Sequence, residues 1–284
     1  MPTTFPLNYV PESLALGDKP RFISATDGDT PTIDLPVRML GMDAPELHYG
    51  GATESNPGKF DAAFASFLTK AGKNLDAGLK AYLKPKLKTK ASTRHIEAGR
   101  TAFDYYQGMV TKRLKRVSAS SGKELTPRRL FVMVAPQVFD RYGRMLAYVN
   151  ASYEKAEREA IPEKDRPTFN LEMMQQGHAA SLLIYPNVPK QRDLALVRDA
   201  IRTARQKQRG FWKASPALLH AFEFRWIVDT ISGKRDGPDR FCGDIETARL
   251  YAPQHYYQVP EENRLWFFQE DVGNAYDMGF KLEA

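Results

Sequence analysis

Two kinds of apolar spacing alternate along this chain, one typical of strands and one typical of helices. Residues 21–48 contain β-branched and aliphatic residues interrupted by the turn-forming stretches TDGDT, LPV and LGMDAP, which predicts short strands. Strand character returns in RRLFVMVAPQVF and RMLAYVN, which lie on either side of the turn DRYG. The glycine of this turn is expected to adopt a positive φ, as in a hairpin.

Helical spacing fills the intervals between these strands. Residues 57–116 place apolar residues three and four positions apart, which predicts two amphipathic helices. The stretch KPKLKTKASTRH between them lacks a sustained apolar face and is expected to be a mobile basic connection. NLEMMQQGHAASLL is predicted to be a helix capped by Asn170 with Gly177 near its end, and RDLALVRDAIRTARQKQRGFW is predicted to be another. This order of strands and helices indicates an α+β architecture with a small barrel.

Composition narrows the class of protein. The 284 residues suffice for one elaborated domain or two small ones, and the hydrophobic fraction of 42% and charged fraction of 26% are ordinary for a soluble protein. No apolar run approaches the length of a membrane span, and the N-terminus lacks the pattern of a secretory signal. The one cysteine, Cys242, excludes an intramolecular disulfide and suits a reducing compartment. A cytoplasmic location is therefore the expectation.

Charge is distributed unevenly. The formal net charge is +7, but residues 61–130 hold 16 lysines and arginines against 5 acidic residues, so the rest of the chain is slightly acidic. A basic block of this kind is the electrostatic footprint of a polyanion-binding protein. A solvated basic helix would explain the same block without any partner.

Five carboxylates crowd the first strand-rich segment: Asp27, Asp29, Asp34, Asp43 and Glu46. If this segment turns back on itself, Asp29 and Asp43 finish at one end of the sheet, where hard oxygen donors suit Ca²⁺ or Mg²⁺. The alternative is that these acids are solvated turn residues. The five histidines are scattered without helical pairing and are interpreted as structural.

Glu46 follows Asp43 by three residues across the stretch DAPE. One carboxylate could therefore bind a metal while the next acts as a base for water. Arg38, and Arg144 in the stretch DRYGR, could neutralise an anionic substrate, because the planar fork of arginine binds two phosphate oxygens at once. Each of these stretches is also explained, on its own, as a turn.

Taken together and in order, the motifs resemble those of the thermonuclease (staphylococcal nuclease-like) family. The matching stretches are DGDT at 27–30, RMLGMDAPE at 38–46, DRYGRMLAYV at 140–149, NLEMMQQG at 170–177 and ARQKQRGFW at 204–212. Counting the helix AGRTAFDYYQGMVTKRL, the resemblance covers about half of the chain. The resemblance implies a five-stranded OB-type β-barrel with flanking helices. It also implies Ca²⁺-dependent hydrolysis of phosphodiester bonds in DNA, RNA or both, with Mg²⁺ or Mn²⁺ as alternative ions.

The resemblance also assigns roles to particular residues. The Asp29 and Asp43 carboxylates and the Ala44 carbonyl would bind calcium, and Glu46 would be the general base. Arg38 and Arg144 would hold the scissile phosphate. The nucleotide pocket would be lined by Arg141, Tyr142 and Tyr185.

The same resemblance divides the chain into regions. A nuclease-like domain would span residues 1–215, with a helical basic insertion at about 50–95. An aromatic extension, residues 216–284, would pack on or beside the barrel. Two rival functions stay open: a catalytically weak or inactive nucleic-acid-binding module of the same fold, and a scaffold for protein interactions. A protein partner or inhibitor also stays open.

Overall fold

A computed structural model describes residues 20–118, 120–140 and 142–283. The α-helices of this part are α1 (Asp61–Ser66), α2 (Ala77–Lys86), α3 (Ala91–Leu114), α4 (Lys155–Ala160), α5 (Phe169–Gln175), α6 (Gln191–Gln206), α7 (Ala221–Ile231) and α8 (Val272–Asp277). The strands are β1 (Phe22–Ala25), β2 (Pro31–Ile33), β3 (Val37–Met39), β4 (Gly41–Asp43), β5 (Arg116–Val117), β6 (Glu124–Leu125), β7 (Leu130–Phe139), β8 (Met145–Ala151), β9 (Ala180–Ile184), β10 (Phe241–Asp244), β11 (Arg249–Tyr251), β12 (Arg264–Phe267) and β13 (Lys281–Leu282). Within the described ranges, no helix is both long and apolar enough to cross a membrane.

The chain divides into two compact units. The smaller unit contains the described residues up to Arg38 together with Val134–Ala147, and the larger contains Met39–Met133 and Tyr148 onward. In the smaller unit, β1 and β2 form an antiparallel hairpin. A three-stranded sheet has the order β3-β8-β7, and the boundary between the units falls within each of these strands.

A six-stranded sheet is the main β structure of the larger unit. Its order is β13-β11-β10-β12-β9-β4, so strands from the C-terminal region continue a sheet that begins with β4. β9 is the joining strand, because it pairs antiparallel with β4 and parallel with β12. The predicted α+β class is confirmed. The described strands form four separate sheets, none of which closes, and the five-stranded barrel stays a prediction.

The larger unit has two apolar clusters. One brings the insertion and the C-terminal region together, with Phe64, Leu79 and Leu83 packed in the same cluster as Phe224 and Trp266. The other gathers side chains from α5, α6, β8 and β12, among them Phe169, Ile201 and Phe267. Burial of large apolar side chains of this kind contributes about 1.5–3 kcal/mol each. Residues of the predicted insertion and extension therefore belong to a shared core.

Three local predictions are wrong. The stretch KPKLKTKASTRH is mostly helical, because α2 runs to Lys86 and α3 begins at Ala91. The helix predicted over residues 170–183 ends at Gln175 in the structure. The last four residues of that predicted stretch belong to β9 instead. Its N-cap is Thr168, whose hydroxyl accepts a hydrogen bond from the Leu171 N–H at 3.2 Å.

Asn170 links two backbone segments instead of capping a helix. Its amide nitrogen donates to the Leu40 carbonyl at 2.9 Å, and its amide oxygen accepts from the Val149 N–H at 2.9 Å. A buried amide satisfied on both sides holds the two backbone segments in register. Leu40 immediately precedes β4, so this link helps to position the strand that carries Asp43.

Candidate active site

Asp43 is the last residue of a completely buried strand. β4 pairs antiparallel with β9, and the partner of Asp43 in that ladder is Ala180. The Asp43 side chain is only 1% exposed. A buried carboxylate of this kind requires charged or hydrogen-bonding partners, because burial without them would be strongly unfavourable.

α3 holds the turn that carries Glu46. The Glu46 N–H donates to Nε2 of His95 at 2.9 Å, and Nδ1 of the same ring lies 3.2 Å from the Leu219 carbonyl. Because Nε2 accepts, the proton is on Nδ1 and donates to Leu219. A Cβ at Gly99 would lie 2.3 Å from the Glu46 carbonyl oxygen, so only glycine permits this close approach of helix and turn.

His95 is neutral in this position. The ring is completely buried, and burial lowers the pKa of His95 to about 3, outweighing the hydrogen bond to the Leu219 carbonyl. Arg225 contributes in the same direction as burial. A neutral imidazole can accept from one backbone group and donate to another. His95 thus connects the Glu46 turn to the segment that leads into α7.

α7 brings a guanidinium group to both carboxylates. Arg225 binds Asp43 with both prongs, Nη1 to Oδ1 at 3.1 Å and Nη2 to Oδ2 at 2.8 Å. Nη1 also donates to Oε1 of Glu46. The Arg225 side chain is 23% exposed, and that of Glu46 is 22% exposed. One arginine therefore bridges the two acids that the sequence separates by three residues.

The electrostatics of this arrangement favour the charged arginine. Burial lowers the pKa of Arg225, but the Asp43 and Glu46 carboxylates outweigh burial and raise that pKa overall. Bidentate pairs of arginine and carboxylate are among the strongest hydrogen-bonded contacts in proteins. The guanidinium offsets the repulsion between the two acids.

This arrangement does not fit a calcium ion. Carboxylate oxygens are suitable donors by chemical type, but Asp43 directs both of them to Arg225. Ca²⁺ takes 6–8 oxygen ligands. Among the described residues, no group of three or more His, Cys, Asp and Glu side chains is arranged to hold a metal ion.

The smaller unit contains other residues with predicted roles. Asp29 is exposed in the turn between β1 and β2, where it accepts from the Thr30 hydroxyl at 3.1 Å. Arg38 lies half-buried on β3. Their roles in metal and phosphate binding stay predictions.

The hairpin turn after β7 is confirmed, with Gly143 at a φ of +75°. Asp140 accepts from the Tyr142 and Arg144 N–H groups, and Arg144 also forms an ion pair with it at 2.7 Å. Burial raises the pKa of Asp140, but the hydrogen bonds from Arg144 and Tyr142 lower it overall. The Arg144 guanidinium lies 5.4 Å from the centre of the Tyr142 ring. Arg141 lies outside the described residues.

The two remaining predicted residues lie in the larger unit. Ala44 follows Asp43 directly and is half-buried. Tyr185 follows β9, and its ring stacks on Phe267 with ring centres 5.7 Å apart. The structure thus brings Asp43 and Glu46 together around one guanidinium, with Ala44 next to them in the chain.

Two residues of this site were missed by sequence reasoning. His95 was interpreted as an ordinary structural histidine, although it holds the Glu46 backbone. No motif of the sequence includes Arg225. A usable signal was present, because Arg225 stands alone as a basic residue in α7, in which most residues are buried. A cation in such a helix needs a carboxylate partner.

Comparison with known proteins finds a family that matches most of this chain. Residues 36–214, well over half of the chain, match a family described as staphylococcal nuclease homologue. No curated protein matches the chain. The matched region contains Asp43, Glu46 and His95 but ends before α7, so Arg225 lies outside it.

Proposed function

This chain belongs to the family of staphylococcal nuclease homologues, as the order of its motifs predicts, and we propose that it hydrolyses phosphodiester bonds in DNA, RNA or both. The family implies an OB-fold and a nucleic-acid substrate. The five-stranded barrel and the nuclease-like domain over residues 1–215 are parts of the same proposal.

The observation that carries the proposal is the pairing of Asp43 and Glu46. Both carboxylates lie within hydrogen-bonding distance of one guanidinium, so they lie close to each other at the end of a buried strand. Glu46 keeps 22% of its side-chain surface exposed. A partly exposed carboxylate beside a buried one can reach water, which a base in hydrolysis must do.

The roles of the residues follow from their chemistry. Glu46 would accept a proton from the water that attacks phosphorus. Arg38 and Arg144 would bind the phosphate oxygens and stabilise their developing charge. Arg141, Tyr142 and Tyr185 would contact the nucleotide. The family would place Ca²⁺ on Asp29, Asp43 and the Ala44 carbonyl, and the pairing of Asp43 with Arg225 does not fit that ion. Members of this family generally depend on Ca²⁺, which supplies electrostatic stabilisation when bound.

A second candidate function is nucleic-acid binding without catalysis. The bridge from Arg225 to Asp43 and Glu46 supports it, because it neutralises the acids that hydrolysis would use. Such a module would keep the basic block of residues 61–130 as its binding surface. Both candidate functions require binding of nucleic acid, and only the hydrolase cleaves it.

The test is digestion of labelled single- and double-stranded DNA and RNA in Ca²⁺, in Mg²⁺ and with a chelator. For the hydrolase, we expect cleavage by the wild type and a loss of about 100-fold or more in Glu46→Gln, because the base is removed. Binding of uncleaved nucleic acid should survive in that variant. Products can be resolved by gel electrophoresis.

Glu54→Gln is the matched control. Glu54 lies near Glu46 in the chain, but it is 47% exposed and pairs with Arg100. Its replacement should leave cleavage unchanged. Equal rates for Glu46→Gln and wild type would reject the assigned base, and nucleic-acid binding with no cleavage in any metal would favour the binding module.

A further inference from the structure

The cation that faces the acidic pair comes from a distant part of the chain. Arg225 is 182 residues from Asp43 and 179 residues from Glu46, and it bonds to both. It lies on α7, beyond the region that matches the family, which ends at residue 214. The fold of the larger unit therefore brings these acids a cation from a part of the chain that the family match does not include.

A second guanidinium group from the same part of the chain acts on this pair. The Arg240 guanidinium lies 5.0 Å from the centre of the Phe268 ring, and its buried Nε has no hydrogen-bond partner among the described residues. Burial lowers the pKa of Arg240 and Arg225 acts in the same direction, while the Asp43 carboxylate opposes them. Arg240 is therefore close enough to Arg225 and Asp43 for their charges to act on its own.

We propose that Arg225 and Arg240 supply the positive charge that calcium generally supplies in this family, so that this chain hydrolyses phosphodiester bonds without a divalent metal ion. This inference rests on the proposed function, because it concerns how the same acidic pair works. It goes further because it makes the region after residue 215 part of the active site and assigns the role of the metal to the chain itself.

The charges of these four groups balance. Asp43 and Glu46 carry two negative charges, and the two guanidinium groups carry two positive charges, as one calcium ion does. Arg225 places its charge directly on the acids, because its two terminal nitrogens bond to Asp43 at 3.1 and 2.8 Å and Nη1 also donates to Glu46. A phosphate group that approaches the pair therefore meets acids whose charge is already offset.

The shape of the pair also suits a guanidinium better than a calcium ion. The Asp43 side chain is 1% exposed, and both of its oxygens accept from Arg225. A guanidinium satisfies a carboxylate with two parallel hydrogen bonds, whereas Ca²⁺ requires about six to eight oxygen ligands around it. A carboxylate buried at the end of a strand can offer the first arrangement without further ligands.

The reaction requires only these residues and water. Glu46 takes a proton from water, the water oxygen bonds to phosphorus, and the bond from phosphorus to one sugar oxygen breaks. That sugar oxygen takes a proton from solvent, and Glu46 returns its own proton to solvent. Arg225 is a positioning residue in this scheme, because its bond to Oε1 fixes the direction of the Glu46 carboxylate.

The experiment compares cleavage of labelled single-stranded DNA and RNA by the full chain in Ca²⁺ and, after dialysis against EDTA, in excess EDTA. We expect the two rates to agree within about twofold, because the compensating charge is built into the chain. Cleavage in Ca²⁺ that EDTA abolishes would overturn this inference and leave the nuclease proposal standing. Absence of cleavage in Ca²⁺, Mg²⁺ and EDTA alike would reject the nuclease proposal, and this inference with it.

Arg225→Ala tests the role of the guanidinium group. We expect kcat in EDTA to fall about 100-fold with KM nearly unchanged, because a preorganised charge that acts in the transition state is lost. Added guanidinium ion at millimolar concentration should restore part of the rate, since it fits the space that the side chain leaves. Arg225→Lys keeps the charge without the fork, so its kcat should lie between those of the wild type and Arg225→Ala.

Arg198→Ala is the matched control. Arg198 on α6 is 25% exposed, against 23% for Arg225, and it pairs with Glu246 at 2.6 Å. Its replacement should leave kcat in EDTA at the wild-type value, with no effect of guanidinium ion. An equal loss in both alanine variants would mean that general loosening is responsible, and it would overturn the inference.

Two further results would reject the role of Arg225. One is a kcat in Arg225→Ala equal to that of the wild type. The other is a lowered kcat that guanidinium ion does not raise. If Arg225→Ala fails to fold, Arg225→Lys decides, and a kcat there equal to that of the wild type rejects the role.

Discussion

At the scale of single residues, His95 determines where the Glu46 backbone lies. It accepts from the Glu46 N–H and lies within hydrogen-bonding distance of the Leu219 carbonyl while fully buried. Protonation of Nε2 would make this nitrogen a hydrogen-bond donor. It would then face the Glu46 N–H, which is also a donor. The position of the Glu46 backbone is therefore sensitive to the charge on this one imidazole.

His95 predicts a pH dependence of stability. Its pKa is about 3 in the folded protein and about 6.5 when unfolded, so the unfolded chain binds the extra proton between these values. Stability should therefore fall as the pH decreases from about 6.5, with a slope of up to about 1.4 kcal/mol per pH unit from this group. Urea unfolding at several pH values measures it.

His95→Gln is the comparison for this prediction. Glutamine can accept from Glu46 and donate to Leu219, but it does not titrate, so its stability should depend less on pH over the same range. His48→Gln, at an exposed histidine two residues beyond Glu46, is the control and should behave as the wild type. Identical pH profiles for His95→Gln and wild type would contradict the assignment.

At the scale of elements, a buried charge network joins α2 to α7. Lys86 near the end of α2 forms an ion pair with Glu223 of α7 at 2.9 Å, with exposures of 8% and 0%. The hydroxyls of Tyr82 and Tyr256 donate to the same carboxylate. Burial raises the pKa of Glu223, but Lys86 and His220 outweigh burial and lower it overall. This network thus links α7, which carries Arg225, to α2 of the insertion.

Removing one partner of this pair should be costly. Lys86→Met leaves the Glu223 charge buried without its cation, and we expect a loss of about 3–5 kcal/mol in the free energy of unfolding. Lys84→Met, on the exposed face of the same helix, should change it by less than about 0.5 kcal/mol. Denaturant unfolding of both variants measures the difference.

The double variant separates charge from packing. Lys86→Met/Glu223→Gln removes both charges, so it should recover part of the stability that Lys86→Met loses. If Lys86→Met were no less stable than Lys84→Met, the network would not be what joins these helices.

At the scale of the whole molecule, the C-terminal region is part of the main sheet. β12 pairs with β9 through Leu265 with Leu183 and Trp266 with Ile184. β9 in turn pairs with β4, which ends at Asp43. In this sheet, β9 alone therefore separates β12, which belongs to the region after residue 215, from β4, which carries Asp43.

This arrangement predicts the behaviour of a shortened chain. A protein ending at residue 215 would lose β10–β13 and α7, which would expose the β12 side of β9 and remove Trp226 and Trp266 from the core. We expect it to lose cooperative thermal unfolding, because large buried side chains and a sheet neighbour are missing together. Circular dichroism during heating measures this. A shortened chain with the wild-type melting temperature would contradict the prediction.

Much of the local structure could be predicted from the sequence. The turn at DRYG, the long helix before residue 206 and the acidic pair in DAPE depend on residues close together in the chain, where turn chemistry and apolar spacing are informative. Predictions were wrong where a short segment could satisfy two patterns. The residues after Gln175 fit a helical spacing, but a strand position between β4 and β12 decided their conformation.

The sequence by itself determined the family, because the family's motifs are local and occur in order along the chain, and residues 36–214 match that family. It also determined that Asp43 and Glu46 would lie near each other, since one proline-containing turn separates them. Only the tertiary structure decided which cation faces them. Arg225 is 182 residues from Asp43, and nothing in local spacing specifies such a pair. Buried charges are matched by packing of distant elements, and that match exists only once the chain has folded.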